Sequence, residues 1–253
     1  MKIQLSYGGE NYEADLGKAL DISIPLGQVK CFYANDFEIA PYESGDFIGS
    51  VKAGAPVNFF NVKLNPHGNG THTECLGHIT VRQESLNDQL RQFHFVSYVI
   101  SISPAKTEEG DLVITREQIE KACPENLTEG LIIRTLPNSK DKLEKDYSGT
   151  NPPYLLDEAI KFLVGKGVRH LLLDLPSVDR EVDGGKLLSH HAFWRVSDNK
   201  VMDDSRADCT ITELIFVPDE VEDGLYLLNL QFPSMPLDAA PSKPVLYKLD
   251  KKS

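Results

Sequence analysis

Alternating apolar and polar residues predict several strands. Residues 2–16 form a predicted hairpin, because apolar positions alternate on both sides of Gly8-Gly9, a dipeptide suited to a tight turn. Residues 20–24 and 57–64 also have an extended pattern. Runs of branched and aromatic residues predict further strands at 93–103, 130–135, 169–175, 211–217, 225–232 and 245–249.

Three helical segments interrupt the strands. Residues 85–91 predict a short helical turn, and residues 155–165 an amphipathic helix that ends at glycine. Thr115 is positioned as an N-cap, with Gln118 completing a capping box for a helix that extends to Ala122. The strand–helix–strand order from residue 130 to 175 predicts a βαβ unit with two parallel strands.

Three segments have little periodicity. Residues 138–150 and 198–208 are highly charged and are predicted to be surface loops. Residues 31–54 are predicted to be a long, partly ordered loop beside a substrate pocket. Its aromatic residues either stack on an aromatic substrate or, as is commoner for any single residue, anchor the loop to the core: Phe32, Tyr33, Phe37, Tyr42 and Phe47.

Candidate chemistry is concentrated in residues 65–78, which contain three histidines and a glutamate, namely His67, His72, His78 and Glu74. Imidazole and carboxylate are ligands that zinc and manganese accept. If residues 71–78 are extended, His72, Glu74 and His78 share one face, because strand side chains alternate. His67 then has to reach the same ion across a glycine turn. The alternative is an ordinary polar loop, in which histidine and glycine often meet.

Several polar residues outside this segment also have more than one interpretation. Glu213 lies among apolar residues, where a carboxylate is costly unless it is paired or binds a metal; the alternative is that it faces solvent at a strand edge. His94 and His170 are interpreted as structural histidines. Cys75 is interpreted as a small buried residue instead of a ligand.

Composition narrows the possible partners. The 253-residue chain has a net charge of −12 and a pI near 5.0, so nucleic acids and anionic lipid surfaces are not expected to bind. The four cysteines are widely spaced, with no Cys-x-x-Cys pair, and the sequence contains neither a signal peptide nor an apolar run long enough to cross a bilayer. We expect a cytoplasmic protein with free thiols.

The histidine-rich segment resembles the signature of the cyclase family, which includes bacterial kynurenine formamidase and isatin hydrolase. That signature reads His-x-Gly-Thr-His-x-Asp-x-Pro-x-His, and Gly70-Thr71-His72 and His78 match it. This chain has one extra residue before Gly70, Glu74 in place of the aspartate and Leu76 in place of the proline. The insertion leaves either His67 or Asn69 for the first ligand place.

The resemblance continues in order along residues 18–248. Asp21 to Leu26 is similar to the segment that begins the conserved fold, and Asp174 to Asp179 to the family's Asp-Thr-Pro-Ser-Val-Asp segment. His190 falls at a ligand place and Glu213 at that of a strand-borne glutamate. Residues 224–233 are similar to the family's last strand.

The resemblance implies an α/β fold, specifically a mixed-sheet swivelling β/β/α-type single domain over residues 1–253 with a central sheet flanked by helices. Residues 1–17 would be an added hairpin. The resemblance also implies that the protein binds one or two divalent ions, zinc or manganese. The ligands would be His67, His72 and Glu74, with His190 and Glu213 completing a second site, and His78 would be the general acid/base.

The implied function is hydrolysis of a small amide, arylformamidase-like, with N-formylkynurenine or a related formamide or lactam as substrate. A homodimer or homotetramer is implied as well. Two alternatives stay open. The same site could open a lactone or an isatin-type ring or dehydrate a substrate. The altered motif could also mark a non-catalytic protein that binds a small molecule.

Overall fold

The structure of the protein, a computed structural model, describes residues 1–252. Its α-helices are α1 (Leu86–Gln89), α2 (Arg116–Ala122), α3 (Asp157–Gly165) and α4 (Leu188–Trp194). Its strands are β1 (Lys2–Tyr7), β2 (Glu10–Asp15), β3 (Leu20–Asp21), β4 (Glu38–Pro41), β5 (Glu43–Ser44), β6 (Phe47–Ile48), β7 (Phe60–Lys63), β8 (His72–Glu74), β9 (His94–Ile102), β10 (Ala105–Lys106), β11 (Leu112–Ile114), β12 (Gly130–Thr135), β13 (Tyr154–Leu155), β14 (His170–Leu173), β15 (Val196–Ser197), β16 (Lys200–Val201), β17 (Thr210–Glu213), β18 (Gly224–Gln231), β19 (Ala239–Pro241), β20 (Lys243–Lys248) and β21 (Asp250–Lys251).

A nine-stranded mixed sheet organises the molecule, in the order β19-β8-β17-β14-β12-β9-β18-β20-β3. Its four central strands, β17, β14, β12 and β9, are parallel, and the outer strands run antiparallel to their neighbours. The predicted βαβ unit is confirmed, since β12 and β14 pair in parallel and α3 lies between them in sequence. This mixed α/β domain confirms the predicted fold class.

The sheet is buried on both faces, as expected for its parallel centre. Leu131 and Ile133 of β12 belong to the core cluster that also contains the buried residues of α2, α3 and α4. Ile132, between them, belongs to the core cluster on the other face. The apolar runs of the central strands therefore contribute side chains to two cores, one on each face of the sheet. Such continuous runs are what made these strands predictable from the sequence.

The helices and the first hairpin mostly follow the predictions. Thr115 caps α2, with Gln118 completing the capping box. The predicted hairpin is β1 and β2, which pair in register around Gly8-Gly9 and add β21 as a third strand. Its interpretation as an added element stays a prediction.

Two predicted loops are more ordered than expected. Residues 31–54 contain β4, β5 and β6, and β4 pairs with β7 in a two-stranded ribbon. In residues 138–150, the Lys142 ammonium group lies 2.8 Å from the buried carboxylate of Asp174, and Tyr147 is buried. Most charged residues of this loop are exposed, as predicted for a surface loop, and these two side chains are the exceptions. Within residues 1–252, no helix has the length and apolar character needed to cross a lipid bilayer.

Candidate metal centre

The histidine-rich segment lies on the sheet at β8, near the carboxyl ends of the parallel strands. The extended run through residue 78 that would place His72, Glu74 and His78 on one strand face does not form. β8 ends at Glu74, and a 3-10 helix over Leu76–Ile79 carries His78 back toward the strand. Gly77 makes this turn possible, because a Cβ atom there would lie 2.0 Å from the carbonyl oxygen of Glu84.

Strand pairing brings Glu213 to the motif. Glu213 is the last residue of β17 and is directly opposite His72 of β8. Its Oε2 lies 3.5 Å from His72 Nε2, and its Oε1 accepts a hydrogen bond from the Val178 amide at 3.0 Å. Glu213 is only 3% exposed, so the alternative of a solvent-facing carboxylate was wrong.

Glu74 is the centre of the cluster and is completely buried. Its Oε2 lies 3.1 Å from His67 Nδ1 and 3.9 Å from His78 Nε2, and its Oε1 lies 3.2 Å from His190 Nε2. Burial alone would raise the pKa of Glu74. The three neighbouring imidazoles outweigh burial and hold that pKa well below its usual value, so the carboxylate is ionised.

His190 is placed by the segment that follows β14. The carboxylate of Asp179 accepts hydrogen bonds from the Ser189 and His190 amides at 2.8 and 3.1 Å, in the first turn of α4. It also accepts one from His190 Nδ1 at 2.6 Å. Asp179 therefore holds both the start of the helix and the imidazole ring, and it leaves Nε2 facing Glu74.

The structure distinguishes the two candidates for the first ligand place. The amide side chain of Asn69 binds the backbone of its own loops: its oxygen accepts from Asn65 N at 2.7 Å, and its nitrogen donates to Asn35 O at 2.9 Å. His67 instead faces Glu74, while its Nε2 lies 2.9 Å from Asp238 Oδ2. The geometry therefore favours His67 over Asn69.

The carboxylates also control the charge of two imidazoles. Burial alone would lower the pKa of His67, but its hydrogen bond to Asp238 and the nearby Glu74 carboxylate raise it to about 10. Burial likewise opposes charge on His190, and the contacts with Asp179 and Glu74 raise its pKa to about 10. Without a metal, protonated imidazoles thus balance the buried carboxylates.

The donor set fits a divalent metal. Two groups have ligand atoms within 4.8 Å of one another, namely His67–Glu74–His78 and His72–Glu74–Glu213, so Glu74 belongs to both. His72 Nε2 and Glu74 Oε2 are buried atoms without a hydrogen-bond partner. Imidazole and carboxylate donors at such distances suit a divalent metal ion, and a cation bound there would satisfy both atoms.

A cavity of about 350 Å³ opens beside the cluster. His67, His78, His190 and Glu213 are part of its wall. Apolar and polar residues from three separate loops complete the wall, including Phe32, Ala34, Asn65, Ser177, Arg180 and Leu187. A small organic molecule could therefore reach the imidazoles directly.

The other histidines and the cysteines lie outside this cluster. His170 is buried in the sheet beside Phe95, as expected for a structural histidine, whereas His94 is exposed on β9. Cys75 belongs to the core on the opposite face of the sheet, and burial raises the pKa of its thiol to about 12. All four cysteines are free thiols.

Two carboxylates beside the imidazoles had no predicted role. Asp179 lies in a segment that resembles a family motif, but its contact with His190 was not foreseen. Asp238 has no motif around it, and only the pairing of β19 with β8 brings it close to His67.

The sequence and the fold were compared with known proteins. The family model described as "Putative cyclase" matches residues 20–180, more than half of the chain. No curated protein matches the chain in sequence.

Several solved structures share the fold. A "potential metal-dependent hydrolase with cyclase activity" is 16% identical, with a TM-score of 0.64, and the match covers 93% of this chain and 99% of that one. Isatin hydrolase A from Labrenzia aggregata is 14% identical, with a TM-score of 0.64, covering 91% and 93%. A predicted metal-dependent hydrolase from Bacillus stearothermophilus is 17% identical, with a TM-score of 0.60, covering 91% and 98%.

The fold match extends over nearly the whole chain, and the sequence match includes the entire histidine-rich segment. The chain therefore belongs to the putative cyclase family.

Proposed function

We propose that this protein is a metal-dependent hydrolase of a small amide, with an arylformamide such as N-formylkynurenine or a related lactam as substrate. The observation that carries the proposal is the fully buried carboxylate of Glu74, which three imidazoles approach within 4 Å beside an open cavity. Buried polar groups of this number are costly unless they bind something.

The proposed ligands are His67, His72 and Glu74, with His190 and Glu213 available to complete a second, shared site. Zinc or manganese bound there would polarise the scissile carbonyl and lower the pKa of a water molecule toward neutrality. Glu74 is the one residue that belongs to both candidate ligand groups, so it would be the shared ligand if two ions bind.

His78 is the proposed general acid/base. It is about one-third exposed at the cavity wall, and its Nε2 faces the cluster. From this position it would take a proton from the attacking water and return it to the leaving nitrogen as the carbon–nitrogen bond breaks. The His67–Glu74–His78 grouping would also allow His78 to bind metal, so its role must be tested separately from metal content.

The cavity supports a substrate with an aromatic part, because Phe32 and Leu187 contribute apolar surface to the same wall as the imidazoles. Ring opening of a lactam of the isatin type is the second candidate reaction. It is supported by the shared fold of the isatin hydrolases, and it would use the same ligands and the same proton transfer.

The test is the variant His78→Ala, assayed with formanilide, N-formylkynurenine, isatin and simple lactones. We expect the wild type to hydrolyse at least one of these, and His78→Ala to lose that activity with unchanged metal content. His94→Ala, in which an exposed histidine outside the site is removed, is the matched control. Full activity in His78→Ala would contradict the proposed role. A metal-loaded wild type that hydrolyses none of them would favour the binding-protein alternative.

We also propose that the chain assembles as a homodimer or homotetramer. The support is an exposed apolar arm, residues 38–63, whose two-stranded ribbon of β4 and β7 is exposed along nearly its whole length. Isolated two-stranded ribbons are marginally stable in water. The arm begins four residues after Ala34, which is part of the cavity wall.

A further inference from the structure

A short hairpin that follows α4 packs against the turn that carries His78. Its strands, β15 and β16, pair around Asp198 and Asn199, whose backbones are left-handed with φ of 49° and 57°. A positive φ at both central residues of a two-residue loop is the pattern of a type I′ turn, and aspartate and asparagine tolerate it better than most residues. These two residues therefore form a defined hairpin tip within the charged segment 198–208.

Two hydrogen bonds join this tip to the segment that follows His78. Asn199 Nδ2 donates to the carbonyl oxygen of Ile79 at 2.9 Å, and the Asn199 carbonyl oxygen accepts from the Val81 amide at 3.0 Å. Ile79 is the last residue of the 3-10 helix, so its carbonyl has no partner inside that helix. The Asn199 side chain therefore caps the helix from a position 120 residues away in the chain.

The base of the hairpin is anchored to α4, the helix that carries His190. Arg195 caps the end of α4, and its amide donates to the carbonyl oxygen of His191. The Ser205 hydroxyl donates to the Arg195 carbonyl oxygen at 2.8 Å, and Val196 is buried in the core cluster that also contains the buried aromatic residues of α4. The hairpin is therefore a fixed extension of α4.

The same helix thus contacts the metal cluster at one end and the His78 turn at the other. His190 Nε2 lies 3.2 Å from Glu74 Oε1, and the rings of His190 and His78 have centroids 5.4 Å apart. Through the hairpin, Asn199 connects α4 to Ile79, the residue after His78. Because 3-10 helices have poor internal hydrogen-bond geometry, the position of this four-residue helix depends on such outside contacts.

We infer that Asn199 is a positioning residue: by capping the 3-10 helix, it holds the His78 imidazole at the cavity wall beside Glu74. Asn199 is not one of the residues that line the cavity, so its effect on the reaction has to pass through His78. The general acid/base role of His78 rests on the proposed function. The contact between Asn199 and the turn does not, because it is formed within the chain itself.

The first experiment compares wild type with Asn199→Gly, using a substrate of the panel above that the wild type hydrolyses. Glycine keeps the left-handed turn and the carbonyl that accepts from Val81, and it removes only the side-chain cap. We expect kcat to fall roughly 10-fold, since a displacement of about 1 Å can cost about 100-fold in rate. KM and metal content should stay unchanged, because the cavity wall and the proposed ligands are untouched.

Two further variants separate the side-chain cap from the turn. Asn199→Asp keeps the side-chain shape but has no N–H to donate, so it should show the same loss of kcat as Asn199→Gly. It also replaces Asn199→Gly in both experiments if the glycine variant does not fold. Asp198→Gly alters the neighbouring turn residue and leaves the Asn199 amide in place, so it should keep the wild-type kcat.

Three kinetic results would overturn the inference. The first is an undiminished kcat in Asn199→Gly and Asn199→Asp. The second is a higher KM with an unchanged kcat, because the side chain would then affect substrate binding instead of the position of His78. The third is an equal loss in Asp198→Gly, because the turn, and not the side-chain cap, would then be responsible.

Amide hydrogen exchange, followed by mass spectrometry, tests the contact without any activity. In Asn199→Gly we expect peptides containing residues 76–81 to exchange roughly 5-fold faster, as the loss of one hydrogen bond predicts for a local opening. Peptides from the buried strand β12 should match the wild type. Unchanged exchange at residues 76–81 would overturn the inference. A wild type that hydrolyses no substrate would count against the proposed function, and exchange would still decide whether Asn199 holds the turn.

Discussion

Glu74 occupies the motif position at which the family pattern has aspartate. The longer glutamate side chain is fully buried here and lies among the imidazoles of His67, His78 and His190. The residue types needed for a metal site could be predicted from the sequence. The role of Asp238 could not, because an isolated aspartate in a loop has no pattern that distinguishes it from other surface acids. Asp179 lies in a segment that resembles a family motif, but its contact with His190 depends on the tertiary fold.

His170 provides a prediction at the same scale, away from the proposed ligands. Burial beside Phe95 lowers its pKa from 6.5 to about 3, so the folded protein keeps it neutral. The unfolded chain binds a proton near pH 6.5. Above pH 6.5 the histidine is neutral in both states, so it does not lower the unfolding free energy. As the pH falls from 6.5 toward 3, only the unfolded chain takes up the proton, and the unfolding free energy decreases.

The variant His170→Leu removes this titration. Between pH 7 and pH 5 the wild type should lose about 2 kcal/mol more unfolding free energy than the variant, as linkage predicts for one such group. Urea unfolding of metal-free protein measures the difference. His94→Leu is the control, and it should keep the wild-type pH dependence. Parallel pH profiles for wild type and His170→Leu would show that His170 is not held neutral.

At the scale of elements, burial on both faces decided which strands were predictable. The central strands β12, β14 and β17 are wholly buried, and apolar runs within or directly after them identified them in the sequence. β8 is only three residues long, and the turn that follows it depends on tertiary contact at Gly77, which local periodicity does not encode. β4 escaped prediction because it is mostly exposed and lacks alternation.

The turn that carries His78 leads to a second prediction. Gly77→Ala would place a Cβ atom against the Glu84 carbonyl, so the 3-10 helix has to move. We expect a loss of about 1–3 kcal/mol in unfolding free energy, typical of overpacking, together with reduced hydrolysis. Gly165→Ala is the matched control, because a Cβ atom there meets no atom within 4 Å, and it should leave stability nearly unchanged or raise it. Equal stability of the two variants would contradict the steric argument.

At the scale of the whole molecule, the family resemblance supplied what local patterns could not. Neighbouring strands such as β8 and β17, or β9 and β18, are far apart in the chain, so periodicity alone does not give their order in the sheet. The ordered series of motifs from residue 18 to 248 predicted the fold class because it spans nearly all of these strands. The arm was not predicted, and its exposed apolar residues are the main surface feature that a single chain leaves uncovered.

Assembly through the arm is the third prediction. Ile39 and Val62 face each other in the β4–β7 ribbon and are 59% and 54% exposed. Replacing both with aspartate should convert the oligomer to a monomer, because charge at a packed apolar contact is strongly disfavoured. Analytical ultracentrifugation measures the state. Val81→Asp, at a position 78% exposed outside the arm, is the control and should remain oligomeric. A monomeric wild type, or an unchanged oligomer in the double variant, would contradict the proposal.

The central claim is that the buried cluster around Glu74 binds a divalent metal. The most direct measurement is metal content by mass spectrometry, on protein purified without a histidine tag or chelator, for the wild type, His72→Ala and the control His94→Ala. The account predicts one or two equivalents of zinc or manganese in the wild type and the control, and a loss of metal in His72→Ala. A wild type that binds no metal even after reconstitution, or a His72→Ala variant with undiminished metal content, would contradict it.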